Sequence, residues 1–363
     1  MTRSAPNPLP SRRAFTLGAA ALLGAAAVPA LPGAARAAGP GGWTTQPIPG
    51  AQQPDLAINA IAAPARRSAF AVGVESGPAG QAPVALRWDG GAWQRVPVPA
   101  GMAPNLVDVA ARTPARAWAI AQSTSSAGAP LVMRWDGLAW QAVDAPVGEW
   151  VALDLDGSGR PWMVGGEVDD HLGPLTSVYR RDQTGWTRLL HEPLQSTFTA
   201  ISVRTASDVW LGGYGNLRHF DGTTWTDHTI KDSTGYPHWV LQIEQVSAQE
   251  VWFLTVSTHP LDMAARLMRW DGTGFTEHRL PGPSSEVGTR SAIGFLGSLA
   301  ADGHGGLWVG DGMYRTLRHF DGTTWTVADV PMQGSNQIQA LARVPHGRTV
   351  WAGGRLPYTL RFA

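Results

Sequence analysis

The sequence predicts an all-β protein, a seven-bladed β-propeller of four-stranded blades, on three observations. An aromatic-Asp-Gly phrase returns along the chain: "RWDGGAW" at 87–93, "RWDGLAW" at 134–140, "HFDGTTW" at 219–225 and 319–325, "RWDGTGF" at 269–275, and a weaker copy, "RRDQTGW", at 180–186. A second phrase, an apolar run around an aromatic followed by Gly or a small residue, is centred on Phe70, Trp118, Trp162, Trp210, Trp252, Trp308 and Trp351. The composition, with 43 Gly, 28 Pro and 17 Trp among 363 residues, favours many turns and aromatic packing points over long helices.

The first phrase occurs six times and the second seven, and the ends of the chain account for the difference. The chain closes on "TLRFA", the first half of a missing hairpin, and residues 41–48 supply the second half, "GGWTTQPI". Residues 38–363 then divide into seven units of about 47 residues, a propeller period. Each unit reads as an inner strand such as "LVDVAA", a second such as "RAWAIA", a third such as "PLVMRW" and a fourth such as "AWQAV". Asp-Gly supplies the positive backbone dihedral that a tight hairpin needs between strands three and four. The flanking aromatics then fall opposite one another, Trp88 facing Trp93, and insert between blades. The Asp-Gly phrases are therefore structural, and His219 and His319 within them are packing or surface residues. The seventh blade is closed by pairing the amino- and carboxy-terminal strands.

Trp88-Asp89, Trp135-Asp136 and Trp270-Asp271 resemble the Trp-Asp of WD repeats, although the Gly-His that opens a typical WD unit is missing. The Gly-Gly pairs at 165–166, 212–213 and 353–354 are similar to those of kelch repeats. The resemblance covers residues 38–363 at the level of architecture. Both families include enzymes and scaffolds, so it implies a fold and not an activity.

Residues 1–37 read as an address. "SRRAFTL", with Arg12 and Arg13, matches a twin-arginine export signal; an Ala/Leu stretch and Ala35-Arg36-Ala37 follow as apolar region and cleavage site. Gly18, Gly24, Pro29 and Pro32 interrupt the apolar run and disfavour a permanent anchor. The absence of cysteine excludes a lipidated cysteine, disulfides and thiolate chemistry. The expected product is secreted or otherwise extracytoplasmic, a monomer with no membrane attachment after cleavage. With 28 basic and 28 acidic residues the chain is neutral, so nucleic acid is not an expected partner.

No nucleophile elbow and no His-Glu-x-x-His pair is present. "DLDGSGRPW" at 154–162 opens like a calcium loop, but Gly165 stands where the closing Glu is required, and a turn between strands one and two is the simpler reading. "AADGHGGLW" at 300–308 occupies the same turn in blade six and resembles a repeat phrase of streptogramin lyases, which are themselves seven-bladed propellers. Aligning the inner strands on Ile58, Leu106, Trp150, Phe198, Val240, Ile293 and Ile338 places Phe295 and Gly297 in the axial layers of blade six. It also places Asp108, Asp154 and Glu244 in the channel, where they could hold a cation or be hydrated; too few donors are in view for the former.

The propeller mouth, ringed by the loops from strand four to one and from strand two to three, is where function is expected. Blades one and two offer small polar loops. Blades three to five carry His171, Tyr214, Tyr236, His238 and His259 with Glu167, Asp169, Asp170 and Asp262, and Tyr314 lies in a further mouth loop. Trp150, Phe198 and Trp239 replace aliphatic residues at or beside the inner-strand anchors of the same three blades. Loops also attract Tyr and His because both tolerate half-exposure, and a large aromatic can simply plug a channel. The favoured function is binding of a small molecule or carbohydrate, with Trp150, Phe198, Tyr214, Trp239, His259 and Tyr314 as binding residues. The alternative is a lyase or hydrolase in which His238, His171 and Tyr236 carry proton transfer, His238 as general base, with or without a metal. A third reading is a protein-interaction scaffold. No protein metal-ligand set and no particular cofactor is indicated.

Overall fold

The computed structural model describes residues 42–51, 55–122, 129, 131–169, 173–193, 198–232, 234–259, 265–280, 297–311, 316–331 and 337–363. The expected export signal, residues 1–37, lies outside the described residues. Among those described, 28 strands form seven four-stranded antiparallel sheets, and the chain is a seven-bladed β-propeller. Blades one to six take their strands consecutively, within 56–95, 106–143, 149–193, 198–228, 238–279 and 297–327. Blade seven orders Trp43–Pro47, Tyr358–Phe362, Val350–Gly354 and Ile338–Arg343, so its outermost strand comes from the opposite end of the chain.

The hairpin phrase folds as a small loop with one repeated device. In blade one Trp88 pairs with Trp93 across it, and the Asp89 carboxylate accepts the backbone N–H groups of Gly91 and Ala92 at 2.8 and 2.9 Å. Gly90 follows with a φ of 104°, which a side chain would strain. Asp136, Asp221, Asp271 and Asp321 accept the corresponding amides in their own loops. In the weaker copy Gln183 replaces the glycine and the positive φ moves to Gly185. Backbone amides draw the Asp89 and Asp136 carboxyls below their ordinary pKa and that of Asp221 to about 2, while the Thr184 and Thr273 hydroxyls, followed by amides, lower that of Asp182 and bring that of Asp271 to about 2.

The two repeated phrases meet between blades. Each second-strand aromatic packs against hairpin aromatics of the next blade: Phe70 on Trp135 and Trp140, Trp118 on Trp186, Trp162 on Phe220, Trp210 on Trp270, Trp252 on Phe320, and Trp351 on Trp88 and Trp93. At the sixth interface Trp308 meets Trp43 and Phe362, with centroids 5.1 and 5.0 Å away. Trp43 and Phe362 are paired across the two terminal strands. The termini therefore stand where every other blade has its hairpin. Each aromatic pair contributes on the order of 1 kcal/mol beyond its buried area.

Inner strands come close to second strands near the mouth, which explains the glycines there. A Cβ on Gly165 would lie 2.1 Å from the Glu149 carbonyl oxygen, and one on Gly73 1.9 Å from that of Ala57. The inner strands of blades one to five and of blade seven each shift register one residue beyond the anchor, a bulge repeated around the axis. Blade six corrects the sequence alignment. Its inner strand is Gly297–Ala301, and Ala300 stands opposite Trp308 as Ala62 stands opposite Phe70. Ser298 and Ala300 thus occupy the layers assigned to Phe295 and Gly297, while Ile293 and Phe295 lie outside the described residues.

The channel carboxylates stitch blade to blade. Asp108 accepts the N–H of Leu153 in blade three at 2.9 Å, Asp154 that of Val203 in blade four at 2.7 Å, and Glu244 that of Ala301 in blade six at 3.1 Å. Gln242 pairs with both the N–H and the C=O of Leu299. Arg112 donates to the carbonyls of Leu155 and Val203. Among the described residues no three His, Cys, Asp or Glu groups converge as a metal site would require. The 154–162 segment is a turn, with Asp156 accepting the amides of Ser158 and Arg160 and the hydroxyl of Ser158. His219 and His319 place Nε2 2.8 Å from Asp208 and Asp302 respectively and lie against Trp210 and Trp308, which is a packing role.

Candidate functional site

The mouth end is marked by the starts of the inner strands and the ends of the second strands. In blade four Phe198 pairs with Gly213, and in blade five His238 pairs with Ser257, so Tyr214, the 230–238 connection and His259 share that end. Lys231 bridges Pro237, and the Asp232 N–H donates to the Tyr236 carbonyl at 2.9 Å, so the connection curls into its own turn. The Asp232 carboxylate holds the turn. It accepts the amides of Thr234 and Tyr236, the hydroxyl of Thr234, and the hydroxyl of Ser257 at 2.7 Å. These hydroxyls and amides outweigh the opposing effect of desolvation and hold its carboxyl far below the usual range.

The neighbouring loop is sewn to this one. Tyr214 bridges Trp239, the Gly215 N–H donates to the His238 carbonyl at 3.1 Å, and Asn216 donates to the Tyr214 carbonyl. Gly215 has a φ of 72° and passes close to Pro237. Two aromatic pairs result. Tyr214 meets Trp239 edge-on with centroids 6.3 Å apart, and Tyr236 meets His259 edge-on at 4.5 Å. Tyr214 is 58% and Tyr236 40% exposed, the large aromatics with the greatest exposure among the described residues. Trp239 is buried and donates its indole N–H to Thr199 Oγ1 at 3.2 Å, tying the pair to the inner strand of blade four.

The remaining candidates separate from this shelf. Trp150 is 0% and Phe198 1% exposed; both lie inside blade interfaces, Trp150 edge-on to Tyr179 and Phe198 beneath the Arg218 guanidinium. Neither presents a face to a ligand. His238 is 2% exposed, with Nδ1 2.8 Å from Thr255 Oγ1, so its ring is buried and ties the first strand of blade five to the second. His171 and Tyr314 lie outside the described residues.

Blade three supplies a polar cluster that the sequence did not reveal. Its second strand, Pro161–Asp169, carries Glu167, its third carries Ser177 and Tyr179, and its fourth carries Arg188 and His191. The fourth strand shifts register between Val178 and Tyr179 and brings His191 opposite Ser177. The donors and acceptors have one consistent order when His191 is neutral. Arg188 donates to His191 Nε2 at 3.5 Å, His191 Nδ1–H donates to Ser177 Oγ at 2.8 Å, and Ser177 donates to Glu167 Oε2. Tyr179 donates to Glu167 Oε1 at 3.0 Å. Desolvation first, and then its bond to Glu167 and that carboxylate's charge, raise the Tyr179 phenol above its usual pKa. Such a chain fixes one tautomer and can pass a proton. Ser177 itself is buried, so it is a link in the chain and not a nucleophile open to a substrate.

No family model matches the chain, and no curated protein matches it. Solved structures do. The structure described as YCF48 bound to D1 peptide superposes with a TM-score of 0.61 at 16% identity, covering 88% of this chain and 96% of that one. A streptogramin B lyase gives 0.61 at 10% identity, covering 88% and 97%. A catalytically inactive virginiamycin B lyase from Staphylococcus aureus with quinupristin gives 0.62 at 11%, covering 89% and 99%. At these identities the likeness is one of fold, and it agrees with the blade count, the strand order and the terminal closure in identifying the chain as a seven-bladed β-propeller.

Proposed function

We propose that this is an exported propeller that binds a small molecule or carbohydrate at the mouth over blades four and five. The observation that carries the reading is the exposed tyrosine pair, Tyr214 and Tyr236, each set edge-on against a partner ring on a hydrogen-bonded loop. Exposed aromatic faces held in place suit a sugar ring or a planar group, because little conformational freedom is lost when the ligand stacks. Asn216, Thr234 and His259 add polar groups at the same loops. Carbohydrate is the favoured class. Export through residues 1–37, with the propeller occupying 38–363, belongs to the same reading.

A thermal-shift screen of soluble oligosaccharides and planar small molecules, followed by calorimetry on the hits, tests it. Tyr214→Ala and Tyr236→Ala should each weaken a hit by about three- to tenfold, the worth of one stacking contact, with melting temperatures unchanged. Hits whose affinity is indifferent to both substitutions would dismiss the shelf.

A lyase or hydrolase is the second reading, favoured by the Glu167–Ser177–His191 chain. There His191 Nε2, on giving up its 3.5 Å contact with Arg188, would be the proton acceptor in place of the buried His238. If a bound hit is turned over, the rate should collapse in His191→Gln while binding persists. A rate that His191→Gln leaves intact would remove this reading.

A further inference from the structure

The end of the ring opposite the mouth carries the seven turns from first to second strands, and their charges are segregated. In blades three to six these turns hold Asp156, Asp208, Glu250 and Asp302, and each acid has a cationic or imidazole partner: Arg160 at 3.0 Å, Arg204 at 2.6 Å, Arg269 at 3.5 Å and His319 at 2.8 Å. The turns of blades seven, one and two hold no acid at all. They carry Arg348 beside His346, then Arg66 and Arg67, then Arg116, all exposed. Among the described residues none of these four arginines makes an ion pair. The neutral total charge therefore hides a basic sector three blades wide.

Three local observations bear on these turns. Arg67 packs on the hairpin of its own blade: a Cβ on Gly90 would stand 2.8 Å from Arg67 Nε and 3.1 Å from its Cβ. The field of Arg66 reaches Arg361 and, after desolvation, is the further cause of that guanidinium's lowered pKa. His346 is the one non-glycine residue with positive φ, 56°, among those described, so the blade-seven turn holds a sparsely populated conformation beside Arg348.

We propose that Arg66, Arg67, Arg116 and Arg348 form a docking surface for a short acidic segment of a partner protein. Exposed guanidinium groups favour carboxylates, in bidentate geometry where the approach allows it. The segment must be short, because the Asp-Gly hairpins share this end of the ring. Within the sector itself the hairpins of blades one and two carry the exposed Asp89 and Asp136, and a long polyanion running on around the ring would meet Asp182, Asp221, Asp271 and Asp321 in turn. That arrangement disfavours nucleic acid while leaving room for a few consecutive carboxylates.

The test uses fluorescence anisotropy of a labelled polyglutamate peptide of about eight residues at low salt, where exposed charges are least screened. The peptide should bind and weaken with added salt. The variant R66Q/R67Q/R116Q/R348Q should bind about tenfold more weakly or worse. R355Q, at an exposed arginine in the second-to-third-strand turn of blade seven at the mouth end, should bind as the parent does. If the quadruple variant melts early, R116Q and R348Q singly should each cost about threefold. Absence of peptide binding at low salt, equal binding by the arginine variants, or tighter binding of an oligothymidylate of equal charge would each overturn the proposal.

Discussion

The junction of the chain ends offers a quantitative test of ring closure. Trp43 is buried; it lies 5.6 Å from Phe362 and 5.1 Å from Trp308, and Phe362 lies 5.0 Å from Trp308. Trp43→Ala removes an interior indole and should cost about 3–5 kcal/mol. Phe362→Ala, at a half-buried position on the same strand pair, should cost less, about 1–3 kcal/mol. Because the rings touch across 319 residues of sequence, the double variant should cost about 1 kcal/mol less than the sum of the singles. Equilibrium urea unfolding of the four proteins measures that coupling. Deleting 358–363 is the harsher arm. It unpairs five residues of the amino-terminal strand and removes Thr359, whose hydroxyl accepts the buried indole N–H of Trp93 at 2.7 Å. Single-variant costs that add within about 0.3 kcal/mol, or a truncation that leaves the melting temperature unchanged, would refute closure.

The channel acids set a pH dependence with a definite sign. Desolvation is the main force raising the Asp154 and Glu244 carboxyls to about 6; Arg112 and backbone amides oppose it for Asp154, and the Ala301 amide and Arg343 for Glu244. The folded protein then binds more protons than the unfolded chain between about pH 4 and 6, so stability falls as pH rises through that window. The loss should be about 2–3 kcal/mol for each group, and D154N/E244Q, which keeps an acceptor at each site, should flatten the profile measured by denaturation. Below that window Asp302, held at about 2 chiefly by His319 and local amides against desolvation, reverses the slope, because its contribution is lost as it protonates. Gly222→Ala should cost about 1–3 kcal/mol, since its φ is 104° and a Cβ would meet that of Ser207 at 2.7 Å. Gly274→Ala, with open space around it, should stay within about 0.5 kcal/mol. Replacing Arg12 and Arg13 by Lys should leave a folded protein inside the cell; undiminished export, read by fractionation, would point to a different route.

Architecture was legible because its signals are local and repeated. Asp-Gly with flanking aromatics states both the hairpin and its register, and Trp88 does face Trp93. The split hairpin at the two ends stated the closure. Blade six was misaligned because its anchor was sought at Ile293, ahead of the strand that runs Gly297–Ala301, whereas Trp308 fixes Ala300 from the second strand. The channel acids read as isolated charges, since a strand's own sequence does not reveal that the next blade's amides come within reach. Burial separated the candidate aromatics in the same way: Trp150 and Tyr214 are both large and both near the mouth, but Trp150 packs against Tyr179 while Tyr214 stands on a loop. The Glu167 cluster depends on a register shift in a fourth strand, and no motif announces one.

Hydrogen exchange read by mass spectrometry, with and without a ligand found in the screen, tests the mouth site most directly. Protection should concentrate in 213–216, 230–239 and 257–259, the segments that hold Tyr214, Tyr236, Trp239 and His259, with the strand 1–2 turns at the other end of the ring unchanged. Protection confined to those opposite turns, or to the blade rims, would contradict the assignment of the mouth over blades four and five as the binding site.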